Sequence, residues 1–290
     1  MTPRSLPSRL LLLLLLAAVL AGSGCARISK LWKDENKNEG QPVEALYDKA
    51  HGYMRGERWA SANETFQRLI AQYPYGPYTE QALMEMAYAQ FKSGKHDDAV
   101  STIDRFIRTY PTHRNIAYFY YLRGLSNATR NAIFLQRVFS LEMSNRDLST
   151  PMQAYNDFSI VVERYPNSKY AADAGKRMIA LRNLFAKHEL DTALYYLRRG
   201  ANVAAITRAK YLLETYPQSE WQNDAVAVLG VAYTHLGKQT LADDARRVLQ
   251  ANDPTHPWIT DPTGWPDYYS NLRKLNPFAG EKSPADRDRD

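Results

Sequence analysis

The sequence predicts an all-α protein: an α-solenoid of five helix-turn-helix repeats, with a flexible N-terminal tether and an extended C-terminal tail. Three observations predict it. Apolar, helix-period runs end in Tyr-Pro at Tyr73-Pro74, Tyr110-Pro111, Tyr165-Pro166 and Tyr216-Pro217, and a fifth ends at Asp253-Pro254. Twelve positions before each proline stands an alanine (Ala62, Ala99, Ala154, Ala205, Ala242), and five before it an apolar residue (Leu69, Phe106, Val161, Leu212, Leu249). Seventeen or eighteen before it, four of the five segments have a glycine: Gly56, Gly94, Gly200 and Gly237, with Ser149 in the third.

Each column has a physical reason. Proline cannot donate to a helix and pushes the residue before it out of the helical region, so it ends the second helix of a pair. Glycine suits the left-handed position that closes the first helix. Alanine lets two helices cross closely. The pattern resembles tetratricopeptide (TPR) repeats.

Taken in order, Met1–Arg9 carries only positive charge, Leu10–Leu20 is apolar throughout, and small residues lead to Cys25, the only cysteine. The run is short for a bilayer span and suits a signal-peptide core. The segment resembles a bacterial lipoprotein signal (residues 1–24), which implies a diacylglycerol thioether and N-acylation on Cys25. Gly22 stands where such signals usually have an aliphatic residue. Ala26, in the absence of Asp, resembles lipoproteins sorted to the outer membrane. Residues 25–42 are polar and aperiodic and read as a lipid-anchored tether.

Repeats one and two fill residues 43–111. The first carries Leu46, Tyr47, Ala50 and Tyr53, then Trp59, Ala62, Phe66, Leu69 and Ile70, at helical spacing. Repeats three to five fill residues 112–254. The third holds extra apolar residues between Arg130 and Thr150. In the fourth, Ala171–Tyr196 reads as one long helix or two broken ones. The fifth returns to standard length. Residues 255–290 are rich in proline and aromatics, with Trp258–Phe278 expected to dock on its own solenoid, the favoured reading, or on a partner, and the end expected to be disordered.

The net charge of +6 falls to +4 without Arg4 and Arg9, and charges of both signs are mixed along the helices, which reads as solvated helix faces and not as a nucleic-acid stripe. The six histidines form no metal-ligand motif, and no nucleophile elbow, P-loop or dinucleotide turn occurs. Asp97-Asp98 and Asp243-Asp244 read as helix N-terminal carboxylates. The expectation is a chain without catalytic site, cofactor or metal. Tyrosines cluster at Tyr73, Tyr75, Tyr78 and at Tyr118, Tyr120, Tyr121. The first group is the stronger candidate for peptide contact, because tyrosine has an apolar body and a polar tip.

Longer strings carry a closer resemblance: YPYGPYTEQ (73–81), IDRFIRTYPTHRNI (103–116), YLRGL (121–125), DFSIVVERYPNSKY (157–170) and YYLRRGANVAAITRA (195–209). Over Pro42–Asn252 the chain resembles the BamD family, lipoproteins of the outer-membrane β-barrel assembly machinery (Bam complex). The resemblance implies a lipid-anchored scaffold on the periplasmic face of the outer membrane of a Gram-negative bacterium. It implies N-terminal repeats that receive unfolded outer-membrane proteins, with Tyr73, Tyr75 and Tyr78 as substrate-binding candidates. It implies C-terminal repeats that dock on a POTRA domain of the barrel subunit, BamA, with Arg208 and Arg199 as contact candidates, and that help hold BamC among the other Bam lipoproteins. The alternative is another periplasmic TPR scaffold coordinating envelope processes.

Overall fold

The computed structural model describes residues 40–130, 147–262 and 265. Cys25, the signal and most of the tether lie outside the described residues. So do the inserted apolar residues 131–146 and the tail aromatics after Trp265. The described residues form eleven helices and no strand.

The chain divides into two compact units between Thr109 and Tyr110. The N-terminal unit holds α1 (Val43–Arg55), α2 (Trp59–Gln72), α3 (Pro77–Lys92) and α4 (His96–Thr109), each packed on the next. The C-terminal unit holds α5 (Ile116–Thr129), α6 (Ser149–Arg164), α7 (Ala171–Arg198), α8 (Asn202–Thr215), α9 (Gln222–His235), α10 (Gln239–Asn252) and the short α11 (Pro257–Thr260). Here too neighbours pack in order, and α7 also meets α9. The long segment of the fourth repeat is one helix of 28 residues, about 42 Å at 1.5 Å per residue. It therefore packs against α6 and α8 together.

The sequence columns become contacts. All five alanines and all five apolar residues at the minus-five position are buried. The minus-five residue has a second role. Its carbonyl accepts the N–H of the residue before proline: Tyr73 to Leu69, Tyr165 to Val161, Tyr216 to Leu212 and Asp253 to Leu249, at 2.7–3.1 Å. Those capping residues are extended (φ −121° to −150°), as a following proline requires.

The first helix of four repeats closes in one way, with one correction. After α3, Gly94 N–H reaches Phe91 O and Lys95 N–H reaches Gln90 O, the paired bonds of a Schellman turn. The same pair recurs at Gly200/Ala201 and Gly237/Lys238, and the three glycines have φ of 76°, 71° and 68°. After α1 the pair is made by Glu57 and Arg58. Gly56 has an ordinary φ of −86°, and Glu57 takes the left-handed position at 54°. The turn geometry puts that position seventeen before the proline in every case, so Gly56 is one residue early.

Asp97 and Asp98 lie in the first turn of α4. Asp243 and Asp244 do not cap α10, which begins at Gln239 with no acid in its first turn. They lie a turn inside, where Asp243 accepts from Gln239 and Asp244 pairs with Arg247.

Past the fifth repeat, the tail begins by packing on the C-terminal unit. Trp258 and Trp265 are buried in its core cluster. Gly230 on α9 makes the room: a Cβ there would lie 1.9 Å from the Trp258 ring. His256 caps α11, its Nδ1 accepting the Trp258 N–H at 3.1 Å, while its Nε2 faces Asp224 at 3.4 Å.

Candidate functional site

Two surfaces hold the residues singled out above, one in each unit. In the N-terminal unit, the turn after α2 carries the three tyrosines, and the structure separates their roles. Tyr73 caps α2 and its O–H donates to the Gln41 carbonyl at 2.9 Å. Tyr78, on α3, meets Tyr47 of α1 at 5.4 Å between ring centroids. Tyr75 is 87% exposed, and beside it Gly76 (φ 117°) turns the chain into α3. Two of the three hold the turn in place and one projects from it.

The same helices carry a polar network with no sequence motif. Glu85 Oε1 accepts from Tyr47 O–H at 2.7 Å and from Gln81 Nε2 at 2.9 Å, and Oε2 faces His51 Nδ1 at 2.9 Å. Burial, then the bond to the Glu85 carboxylate, pushes the Tyr47 phenol well above its ordinary value. Tyr47 therefore stays a neutral donor to Glu85, and this network ties α1 to α3.

In the C-terminal unit, Arg208 lies on α8 and is half-exposed. Its Nη1 donates to Glu189 Oε2 of α7 at 3.1 Å, and the Glu189 side chain is almost covered. Arg199 follows the last residue of α7, and its guanidinium lies 5.3 Å from the Tyr195 ring centre. Between the two arginines, Val203 is 68% exposed. Both cations are held by neighbours and both reach solvent beside apolar side chains. That arrangement suits docking, since an oriented guanidinium loses less freedom on pairing.

The second tyrosine cluster is a packing feature. Tyr121 stacks on Tyr170 at 5.1 Å, Tyr118 meets Tyr170 at 5.6 Å and Tyr120 stacks on Tyr165 at 6.2 Å. Tyr121 donates to Asp173, which also accepts from Arg177. Those two bonds hold the Asp173 carboxyl below its ordinary value.

Sequence reading missed a buried ion pair in this unit. Asp157 on α6 accepts from Arg123 Nε at 3.0 Å and Nη2 at 2.6 Å, and from Asn127 at 3.2 Å, linking α5 to α6. The available signal was a charged residue inside each of two apolar runs, YLRGL and DFSIVV. No three His, Cys, Asp or Glu side chains among the described residues gather as a metal site.

Known proteins place this architecture. In solved structures the chain is similar to the TPR2AB domain of yeast Sti1, with 10% identity, a TM-score of 0.41 and coverage of 80% of this chain and 86% of that one. Sequence relatives are far closer. The chain is 64% identical over 279 residues to the outer membrane protein assembly factor BamD of Xylella fastidiosa, covering 96% of this chain and 93% of the relative. It is 36% identical to BamD of Neisseria meningitidis over 89% of this chain and 98% of that one, and 35% identical to BamD of Vibrio cholerae over 73% and 88%. Residues 39–249 match the family described as outer membrane lipoprotein (YfiO). With most of its length matched by that family and by these relatives, the chain belongs to the YfiO outer membrane lipoprotein family, that of the BamD assembly factors.

Proposed function

We propose that the chain is a scaffold of outer-membrane protein assembly, tied by lipid on Cys25 to the periplasmic face of the outer membrane. The N-terminal repeats (43–111) receive unfolded outer-membrane proteins, with Tyr75 as the tyrosine that meets them. The C-terminal repeats (112–254) dock on a POTRA domain of BamA through Arg208 and Arg199, and help hold BamC. No residue has a catalytic role. The 64% identity to an outer membrane protein assembly factor along almost the whole chain supports the assembly role. The observation that carries the docking surface is the solvent-facing Arg208, which is oriented by a nearly covered carboxylate.

The test follows from that ion pair. Arg208→Glu would set a second carboxylate against Glu189 and mix repulsion with lost docking. Arg208→Gln retains an amide donor for Glu189 and removes the charge. It is expected to lower co-purification of BamA in mild detergent while helical circular dichroism and the unfolding midpoint stay within error. Undiminished BamA recovery refutes the docking role. The lipid is tested separately by the mass of the mature N-terminal peptide beginning at Cys25.

A further inference from the structure

We infer that the docking surface extends from the fourth repeat onto the turn of the fifth, with Leu236 and Leu241 as its apolar contacts, and that it fits a folded partner presenting an acidic face. The inference rests on the docking role of Arg199 and Arg208 proposed above.

The turn after α7 and the turn after α9 share one edge of the C-terminal unit. They close by the same paired backbone bonds, α8 packs on α9, and His235 Nδ1 faces Asn202 Oδ1 across them at 3.1 Å. Val203 directly follows Asn202, and Leu236 directly follows His235. Both are exposed, Val203 at 68% and Leu236 at 41%, with Leu241 at 44% and Tyr195 at 48% nearby on the same hairpins. Four large apolar side chains at one edge are a concentration; scattered single ones would need no account.

The charge along these stretches is predominantly positive. No Asp or Glu stands between Tyr195 and Leu213 or between Ala225 and Ala242, whereas Arg198, Arg199, Arg208, Lys210 and Lys238 do. Neither α8 nor α10 has an acid in its first turn; the C-termini of α7 and α9 at the same edge offset the N-terminal dipoles, so the sign of the field is set by the side chains. Of the carboxylates flanking these stretches, Glu189 is paired with Arg208, Asp244 with Arg247 and Asp224 faces His256, while Asp243, which accepts from the neutral Gln239, and Glu214 keep their charge. An apolar ridge rimmed by cations is complementary to an acidic protein face. A membrane surface fits less well. Interfacial binding uses a continuous apolar face along a helix, while here α8 and α10 each contribute one side chain from the first turn.

The test uses the full mature lipoprotein and the double variant Leu236→Gln/Leu241→Gln, with Leu236→Met/Leu241→Met as the conservative control. Two half-exposed leucines correspond to roughly tenfold in affinity when covered. The Gln pair is expected to lose about that much BamA binding, the Met pair to retain it, and circular dichroism to remain unchanged. Lys238→Glu is expected to weaken binding chiefly at low salt. If Arg208→Gln weakens binding and the Gln pair does not, the extension is refuted and the docking role stands. If neither does, both fall. Sedimentation with anionic phosphatidylglycerol vesicles that depends on Leu236 and Leu241 overturns the protein assignment in favour of lipid.

Discussion

Replacing Gly230 with alanine tests how the tail is held. Gly230 is the ninth residue of α9, in its interior. There a Gly→Ala change alone raises helix stability by about 1 kcal/mol, because alanine loses less backbone entropy on folding. The structure predicts the opposite sign. The new Cβ would lie 1.9 Å from one atom of the Trp258 indole and 2.6 Å from two more, distances no real contact shows. The indole must leave. A tryptophan side chain covers about 200 Å², so at 25 cal/mol per Å² its burial amounts to at most about 5 kcal/mol. The helix α11 is four residues long and can lift locally, which limits the loss to what this cap contributes, about 2–4 kcal/mol. Urea unfolding followed by circular dichroism and by tryptophan fluorescence measures it. The decisive comparison is the double variant. In a Trp258→Ala background the clash is gone, and Gly230→Ala is expected to become stabilising by about 1 kcal/mol. If Gly230→Ala is neutral or stabilising in the native background, or has the same sign in both, the socket reasoning is wrong.

Other outcomes follow from the same geometry. Glu57→Gly removes a non-glycine residue from φ 54°. Net of unfolded-chain entropy it is expected to raise the unfolding free energy by about 0.5–1 kcal/mol, read as a higher urea midpoint. Asp157→Ala strips a buried carboxylate from Arg123 and Asn127. It is expected to cost about 3 kcal/mol, measured by the same unfolding curve. Burial, then the neighbouring Tyr211, pushes the Tyr216 phenol up to about 12. An unfolded tyrosine titrates near 10, so the folded state holds this proton more tightly. The resulting stability is present below about pH 10 and is lost as pH rises toward 12. Tyr216→Phe is expected to flatten the fall in unfolding midpoint between about pH 10 and 12. Tyr75→Ala is expected to lower capture of an unfolded outer-membrane protein without moving the midpoint, whereas Tyr73→Phe, which loses the Gln41 bond, is expected to move the midpoint.

The fold was legible because its determinants are local and repeat. A residue five before a proline can be recognised wherever the proline is, and all five such residues are buried. The column misled where spacing was read loosely. Gly56 is eighteen before Pro74 and the other three glycines are seventeen before theirs. The odd one is the one without positive φ. Asp97 follows Gly94 by three residues and Asp243 follows Gly237 by six, which is why the first pair reaches a helix end and the second falls inside. What stayed hidden pairs residues far apart with no period. Gly230 and Trp258 are 28 positions apart and Arg123 and Asp157 are 34 apart, and nothing in either stretch names its partner.

The candidate sites were harder to read for a related reason. The repeat columns specify the inside of each helical pair, and a side chain spent on that interior is unavailable to a partner. Tyr73 shows the conflict: its backbone ends α2 and its phenol holds Gln41, so its place in the Tyr-Pro mark explains most of what it does. Tyr75, two residues on, belongs to no column and projects into solvent. Arg208 likewise lies outside the columns: one turn from the buried Ala205 and Leu212, at the margin of their face, it reaches Glu189 of α7 and still meets solvent. A repeat chain can therefore keep its folding code intact and vary its partners at the turns and at the margins of its buried helical faces. Ligand specificity in such a chain is written in the positions that the repeat leaves undetermined, which are those that periodicity cannot find.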